Sequence, residues 1–458
     1  MAKRLLPDHF RFGASSAAFA IEGGLEETGR SPSIWDKFCT RPGAIIDQSN
    51  ADYAADHFRQ WESDTLLMKK AGLQIYNFSM SWSRVLPNGT GSLNDAGIDF
   101  YDRLVDGILE QGIDPFLTLN HWDLPLVMED RGGWVKRDVI YHFSDYAQKI
   151  AAKLGDRVKN WITHHDPHAQ SYHGYATGLH APGEEKPRAA WIAAHHLLLS
   201  HHFAADAIRS ERAGMQVGIA LNVSPIVPAS ESDADHREAM RIDGRENRWY
   251  LDPLLKGEYP DDIFRLAKAD SGEQGIDWIE RGDLEKIKGS SDFIGVNYYS
   301  RTIARTSEKI KMKPSEYINK KDITDTGTEV APDMLRELLL DLNKQYELPA
   351  IYITENGAAY DDAPNEFGRI QDGRRALFMS RHLEAIREAI EKGVKVEGYF
   401  ARSFFDSFEW NLGYTKRYGM VWVDFETQER TLKDSAYWYK RLTDTRDHDW
   451  VPNVDYRE

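Results

Sequence analysis

Short apolar, β-branched runs recur along the chain, and each is followed by a longer stretch with helical spacing. The strand-like runs are residues 10–24, 73–84, 114–125, 159–167, 216–228, 292–301, 350–357 and 397–410. Helical patterns fill the intervals, among them 99–111, 139–154, 189–213, 333–345 and 373–392. Strands alternating with helices predict a parallel sheet covered by helices. Eight such units predict a closed (β/α)8 TIM barrel over an open doubly wound sheet. The polar segment 302–328 reads as a long barrel loop, and no linker divides the chain, so residues 1–458 are expected to form a single domain.

In a barrel of this kind the C-terminal strand ends form the functional face. The polar residues at those positions are Glu22, Asn77, His121, His165, Asp166, Asn297, Tyr299, Glu355, Arg402, Glu409 and Trp410. Carboxylates, imidazoles and indoles therefore converge on one mouth. Glu355 ends an apolar strand and begins a turn, Thr354-Glu355-Asn356-Gly357. Two carboxylates facing each other across a pocket are the machinery of glycoside cleavage.

Composition narrows the function classes. The 458 residues carry a formal net charge of −16, which disfavours nucleic acid as a partner. No apolar run approaches membrane-spanning length, and the start Met1-Ala2-Lys3-Arg4-Leu5-Leu6-Pro7 has no signal-like apolar stretch. The single cysteine, Cys39, excludes an intrachain disulfide and fits a reducing compartment, so a cytoplasmic location is expected. No Gly-x-Gly-x-x-Gly turn or phosphate loop follows a strand, so no cofactor is expected. The 13 tryptophans suit stacking on sugar rings and equally suit a core.

The ordered motifs resemble glycoside hydrolase family 1, the retaining β-glucosidase group, along almost the whole chain. They are Phe12-Gly13-Ala14, Ile21-Glu22-Gly23, Phe78-Ser79-Met80-Ser81-Trp82-Ser83-Arg84 and Asn120-His121-Trp122-Asp123-Leu124-Pro125, followed by Gly132-Gly133-Trp134 and Ala181-Pro182-Gly183. Gly295-Val296-Asn297-Tyr298-Tyr299, Ile353-Thr354-Glu355-Asn356-Gly357, Asp406-Ser407-Phe408-Glu409-Trp410 and Lys416-Arg417-Tyr418-Gly419 complete the series. The resemblance implies Glu355 as nucleophile, Tyr299 as its hydrogen-bond donor, and His121, Trp122, Asn297, Glu409 and Trp410 around the sugar.

The departures from the family pattern cluster in the same pocket. Where the family has Thr-x-Asn-Glu-Pro, this chain has Thr163-His164-His165-Asp166-Pro167. Asp166 is then the candidate acid/base, one methylene shorter than the family's Glu, and His165 joins the substrate-binding set. Asn77 replaces an Arg beside the nucleophile, Ala20 replaces a sugar-binding Gln, Arg402 replaces a Trp at the sugar floor, and Thr328 replaces a Trp on the leaving-group side. Arg402 is expected either to restore positive charge near Glu355, to bind an anionic group, or to pair with Asp406. Glu409 disfavours a 6-phosphorylated sugar, because a carboxylate there repels phosphate.

The expected function is cleavage or transfer of a β-linked sugar by Glu355 and Asp166, with an atypical glycone. The expected partner is a small-molecule glycoside; membrane is not expected, and self-association into a homo-oligomer is left open. Two other classes compete. One is a catalytically impaired sugar-binding protein. The other is a metal-dependent enzyme using the imidazoles of residues 164–168.

Overall fold

The computed structural model describes residues 6–306 and 323–449. Eight strands, β1 (Arg11–Ser16), β2 (Ile75–Ser79), β3 (Asp114–Asn120), β4 (Asn160–His165), β5 (Gln216–Asn222), β6 (Phe293–Asn297), β7 (Ala350–Asn356) and β8 (Val396–Arg402), close into one parallel barrel. They neighbour one another in chain order, with β8 returning to β1. Every strand faces both the barrel interior and the outer helices, so the strands read as nearly continuous apolar runs. β2 is buried along its entire length.

The helices predicted from spacing appear as Asp95–Glu110, Asp138–Leu154, Pro187–Glu211, Pro332–Gln345 and Gly373–Glu391. Each lays an apolar stripe on the barrel; Ile98, Tyr101, Leu104, Val105 and Ile108 do so in the first of them. The strand-like run 10–24 is shorter than expected. It ends at Ser16 and passes into a helical turn, Ala18–Ile21. The segment expected as a long loop starts with a short strand, Thr302–Ala304, paired with Ile226–Pro228. Most of that loop, residues 307–322, lies outside the described residues.

The N-terminal half of the barrel is plugged by Ile75, Phe116, Ile162, Ala220, Phe293 and Phe400, with Phe116 meeting Phe400 edge-on at 5.1 Å. This dry floor forces polar strand-end residues toward the opposite mouth. Among the described residues, no helix is long and apolar enough to cross a membrane.

Candidate active site

Two local irregularities in the sheet aim the reactive groups. β4 slips register against β5 between Ile162 and His165, so a strict alternation of faces is broken there. Ile162 joins the barrel floor, whereas Thr163 bonds His201 on the outer helix at 2.7 Å and His164 bonds Ser200 at 2.8 Å. His165 then turns back into the mouth. β7 slips against both β6 and β8 around Thr354 and Glu355. Thr354 donates to Asn297 Oδ1 at 2.7 Å, and Glu355 reaches the pocket beside it.

The pocket holds about 290 Å³. His121, Trp122, His165, Asp166, Asn297, Tyr299, Thr328, Glu355, Arg402, Glu409 and Trp410 line it. Two larger clefts of about 470 Å³ lie elsewhere, and neither is lined by Glu355 or Asp166.

Glu355 is the hub. The Tyr299 hydroxyl donates to its Oε2, His165 Nε2 lies 3.4 Å from that oxygen and Arg402 Nε lies 3.5 Å from it. Burial alone raises a carboxyl pKa, but His165 and Arg402 outweigh burial and hold Glu355 well below the ordinary carboxylate range. It is therefore an ionised carboxylate. Arg402 also donates to Glu409 Oε2 at 2.6 Å and stacks over Tyr418 at 4.4 Å. Ser407 donates to the other Glu409 oxygen at 2.9 Å. Burial still leaves Glu409 raised despite Arg402.

Asp166 has the opposite electrostatic character. Its residue is 5 % exposed, and the backbone sits at φ 44° just after β4. The Ala169 amide donates to its Oδ1 at 3.2 Å. Burial, reinforced by Glu355 and resisted by His165 and that amide, pushes Asp166 up to about 6. One carboxylate is thus held ionised and a second is poised to carry a proton, the division of labour that acid–base chemistry at one bond needs.

His121 stacks on His165 with ring centres 3.8 Å apart, and burial drives its pKa down, so it is a neutral donor or acceptor. Trp122 donates to the His165 carbonyl at 2.9 Å. Trp410 packs 4.5 Å from Trp122 and 5.7 Å from His121, which builds an aromatic wall.

Several expectations need correction. Asn77 is not among the residues lining the pocket: its side-chain oxygen accepts from Thr118 on the neighbouring strand at 2.8 Å. Glu22 pairs instead with Arg84 at 3.0 Å and is a structural ion pair. The Arg402–Asp406 pairing does not form, since Asp406 is taken by Arg417 and Lys433. The imidazoles of 164–168 do not converge: His164 faces the outer helix and His168 stacks on Tyr172 at 5.2 Å. His195 and His201 are buried and hydrogen-bonded to Tyr259 and Thr163, in keeping with packing roles.

Sequence reasoning missed Asn222, His180, Asn411 and Leu412 as pocket lining. Asn222 was detectable as the polar end of an apolar strand. His180 was not, because it enters from a loop whose path follows the irregular helical turn Ala169–Ala176.

Comparison with known proteins agrees with this geometry. The model for glycosyl hydrolase family 1 matches residues 2–448. The chain belongs to that family. Beta-glucosidase A of Acetivibrio thermocellus is 42% identical over 452 residues, covering 96% of this chain and 99% of that protein. The solved family 1 β-glucosidase of Thermotoga maritima superposes with a TM-score of 0.92 at 35% identity, covering 99% of this chain and 100% of that one. The Thermotoga enzyme in complex with deoxynojirimycin superposes with a TM-score of 0.91 at 36% identity, covering 97% and 99%.

Proposed function

We propose that this glycosidase is a retaining β-glucosidase-like enzyme in which Glu355 attacks the anomeric carbon and Asp166 protonates the leaving oxygen. The observation that carries the proposal is two buried carboxyls lining one pocket, Glu355 gathered by Tyr299, His165 and Arg402 and so favoured as the anion, Asp166 raised by burial to about 6. Attack by Glu355 forms a glycosyl ester while the proton of Asp166 passes to the departing alcohol. Asp166, now ionised, accepts a proton from water as the water cleaves the ester, and both groups return to their starting states. The Tyr299 hydroxyl orients Glu355 for attack.

Curated relatives named beta-glucosidases and a solved relative holding deoxynojirimycin support a glucose-sized glycone. His121, Glu409 and Trp410 supply the contacts for it. The glycone site nonetheless differs from a plain glucoside pocket, because Arg402 occupies one Glu409 oxygen and Ser407 the other. Glu409 has less capacity left for sugar hydroxyls, so we propose discrimination among glycones that is weaker than, or shifted from, a strict glucose preference.

The test is release of 4-nitrophenol from a panel of aryl β-glycosides. The proposal expects turnover on glucoside or a close stereoisomer, abolished in Glu355→Gln. Turnover that survives in Glu355→Gln refutes it.

A further inference from the structure

We propose that His121, His165 and Glu355 form a site for one divalent first-row transition-metal ion, and that the ion and the sugar exclude each other. All three residues are buried, and one donor atom from each lies within 4.8 Å of the other two. Two imidazoles and a carboxylate are a donor set that zinc and its first-row neighbours accept with positions left open. This constellation is a consequence of one departure from the family pattern. His121 and Glu355 match that pattern, and His165 stands where the family has Asn.

A second observation points to a cation. Asn297 Nδ2 lies 2.9 Å from His165 Nε2, and the amide is oriented by the Thr354 hydroxyl on its oxygen. The same imidazole nitrogen lies 3.4 Å from Glu355 Oε2. An imidazole nitrogen and a carboxylate oxygen thus face each other in a buried pocket, the two atoms a shared cation would bridge. His165 Nδ1, also buried, has no hydrogen-bond partner among the described residues. A metal ion between imidazole and carboxylate takes one donor atom from each.

Binding has a structural requirement. The two imidazole rings stack with 13° between their planes, so they must splay for both lone pairs to converge. Arg402 opposes a dication near Glu355, but it keeps Glu409 at 2.6 Å as its counter-charge when the ion takes Glu355. The competing arrangement is a hydrogen bond: with the Asn297 amide turned round, His165 Nε2–H donates to the same carboxylate.

The experiment strips the protein with chelator, then titrates it with zinc by calorimetry and with cobalt(II) by visible absorption. The proposal expects one ion per chain, a cobalt ligand-field spectrum, and displacement by deoxynojirimycin. His165→Asn and the isosteric Glu355→Gln should each weaken zinc binding by about tenfold to a hundredfold or more, since loss even of a supporting partner costs that much. Glu384→Gln should leave binding intact; Glu384, His448 and Asp449 are the other candidate group among the described residues, and none of them lines this pocket. If the wild type binds no zinc, a hydrogen bond holds the pair and the proposal fails. It fails equally if His165→Asn and Glu355→Gln bind normally, or if only Glu384→Gln loses the ion. Should His165→Asn not fold, Glu355→Gln decides alone. Because metal stoichiometry is read without turnover, the site is judged separately from the glycosidase mechanism.

Discussion

Replacing Asp166 by Asn separates the two consequences of its raised pKa. In wild type, with Asp166 at about 6, the proton donor is present in about 0.9 of molecules at pH 5 and about 0.01 at pH 8. Hydrolysis of a poor leaving group such as cellobiose should therefore fall about ninetyfold in kcat/KM between those pH values. A 2,4-dinitrophenyl β-glucoside, whose leaving group needs no proton, should show almost no alkaline limb in its glycosylation step. In Asp166→Asn, cellobiose turnover should drop by about 10²- to 10⁴-fold, the range for a positioned acid, and the alkaline limb should vanish. Stability moves the other way. The folded pKa lies above the ordinary 3.8, so the stabilising contribution of the neutral carboxyl is full below that value and is lost as pH rises through about 6. At pH 8 the ionised carboxylate costs up to about 3 kcal/mol, and Asp166→Asn should unfold at higher temperature than wild type there, with the difference shrinking toward pH 4. Kinetic pH profiles and thermal unfolding at matched pH read both effects. An alkaline limb that persists in Asp166→Asn would refute the assignment of Asp166 as the acid.

Other substitutions probe the remaining contacts. Arg402→Leu strips Glu355 and Glu409 of a shared buried counter-charge, and should cost about 3–5 kcal/mol in chemical denaturation while moving the acidic limb of kcat/KM to higher pH as the Glu355 pKa rises. Tyr299→Phe removes one donor to Glu355, and about a tenfold to hundredfold loss in kcat with KM little changed is expected; a change confined to KM contradicts the orienting role. Asp166→Glu restores the longer acid, and should raise cellobiose turnover by up to about a hundredfold if the short side chain is misplaced by about 1 Å.

Much of the fold was legible because the strands are buried on both faces and end in polar residues. The runs around Glu355 and Asp166 announced both the barrel and its mouth. What could not be read was aim. Strict alternation correctly separates His164 from His165, but only the bulge in β4 explains why Thr163 and His164 both face outward. Asn77 was read as a pocket residue from its strand position, and its amide oxygen instead accepts from Thr118 on the neighbouring strand. Arg402 was legible as a gained charge, whereas its partner was not. The loop after β8 returns Glu409, seven residues on, to the guanidinium, and Asp406 is spent on Lys433 and Arg417. The metal-like cluster was similarly hidden, since it joins residues from β4, β7 and the end of β3 that no sequence spacing relates.

The most direct test of the account is to trap the intermediate on Glu355. A 2,4-dinitrophenyl 2-deoxy-2-fluoro-β-glucoside should inactivate the enzyme with release of one equivalent of dinitrophenol, because its leaving group needs no acid and the fluorine slows turnover of the ester. Peptide mass spectrometry should then find the fluoroglycosyl mass on the peptide containing Glu355, and Glu355→Gln should remain unlabelled. A label on Asp166 or another residue, or inactivation that proceeds equally in Glu355→Gln, would contradict the account.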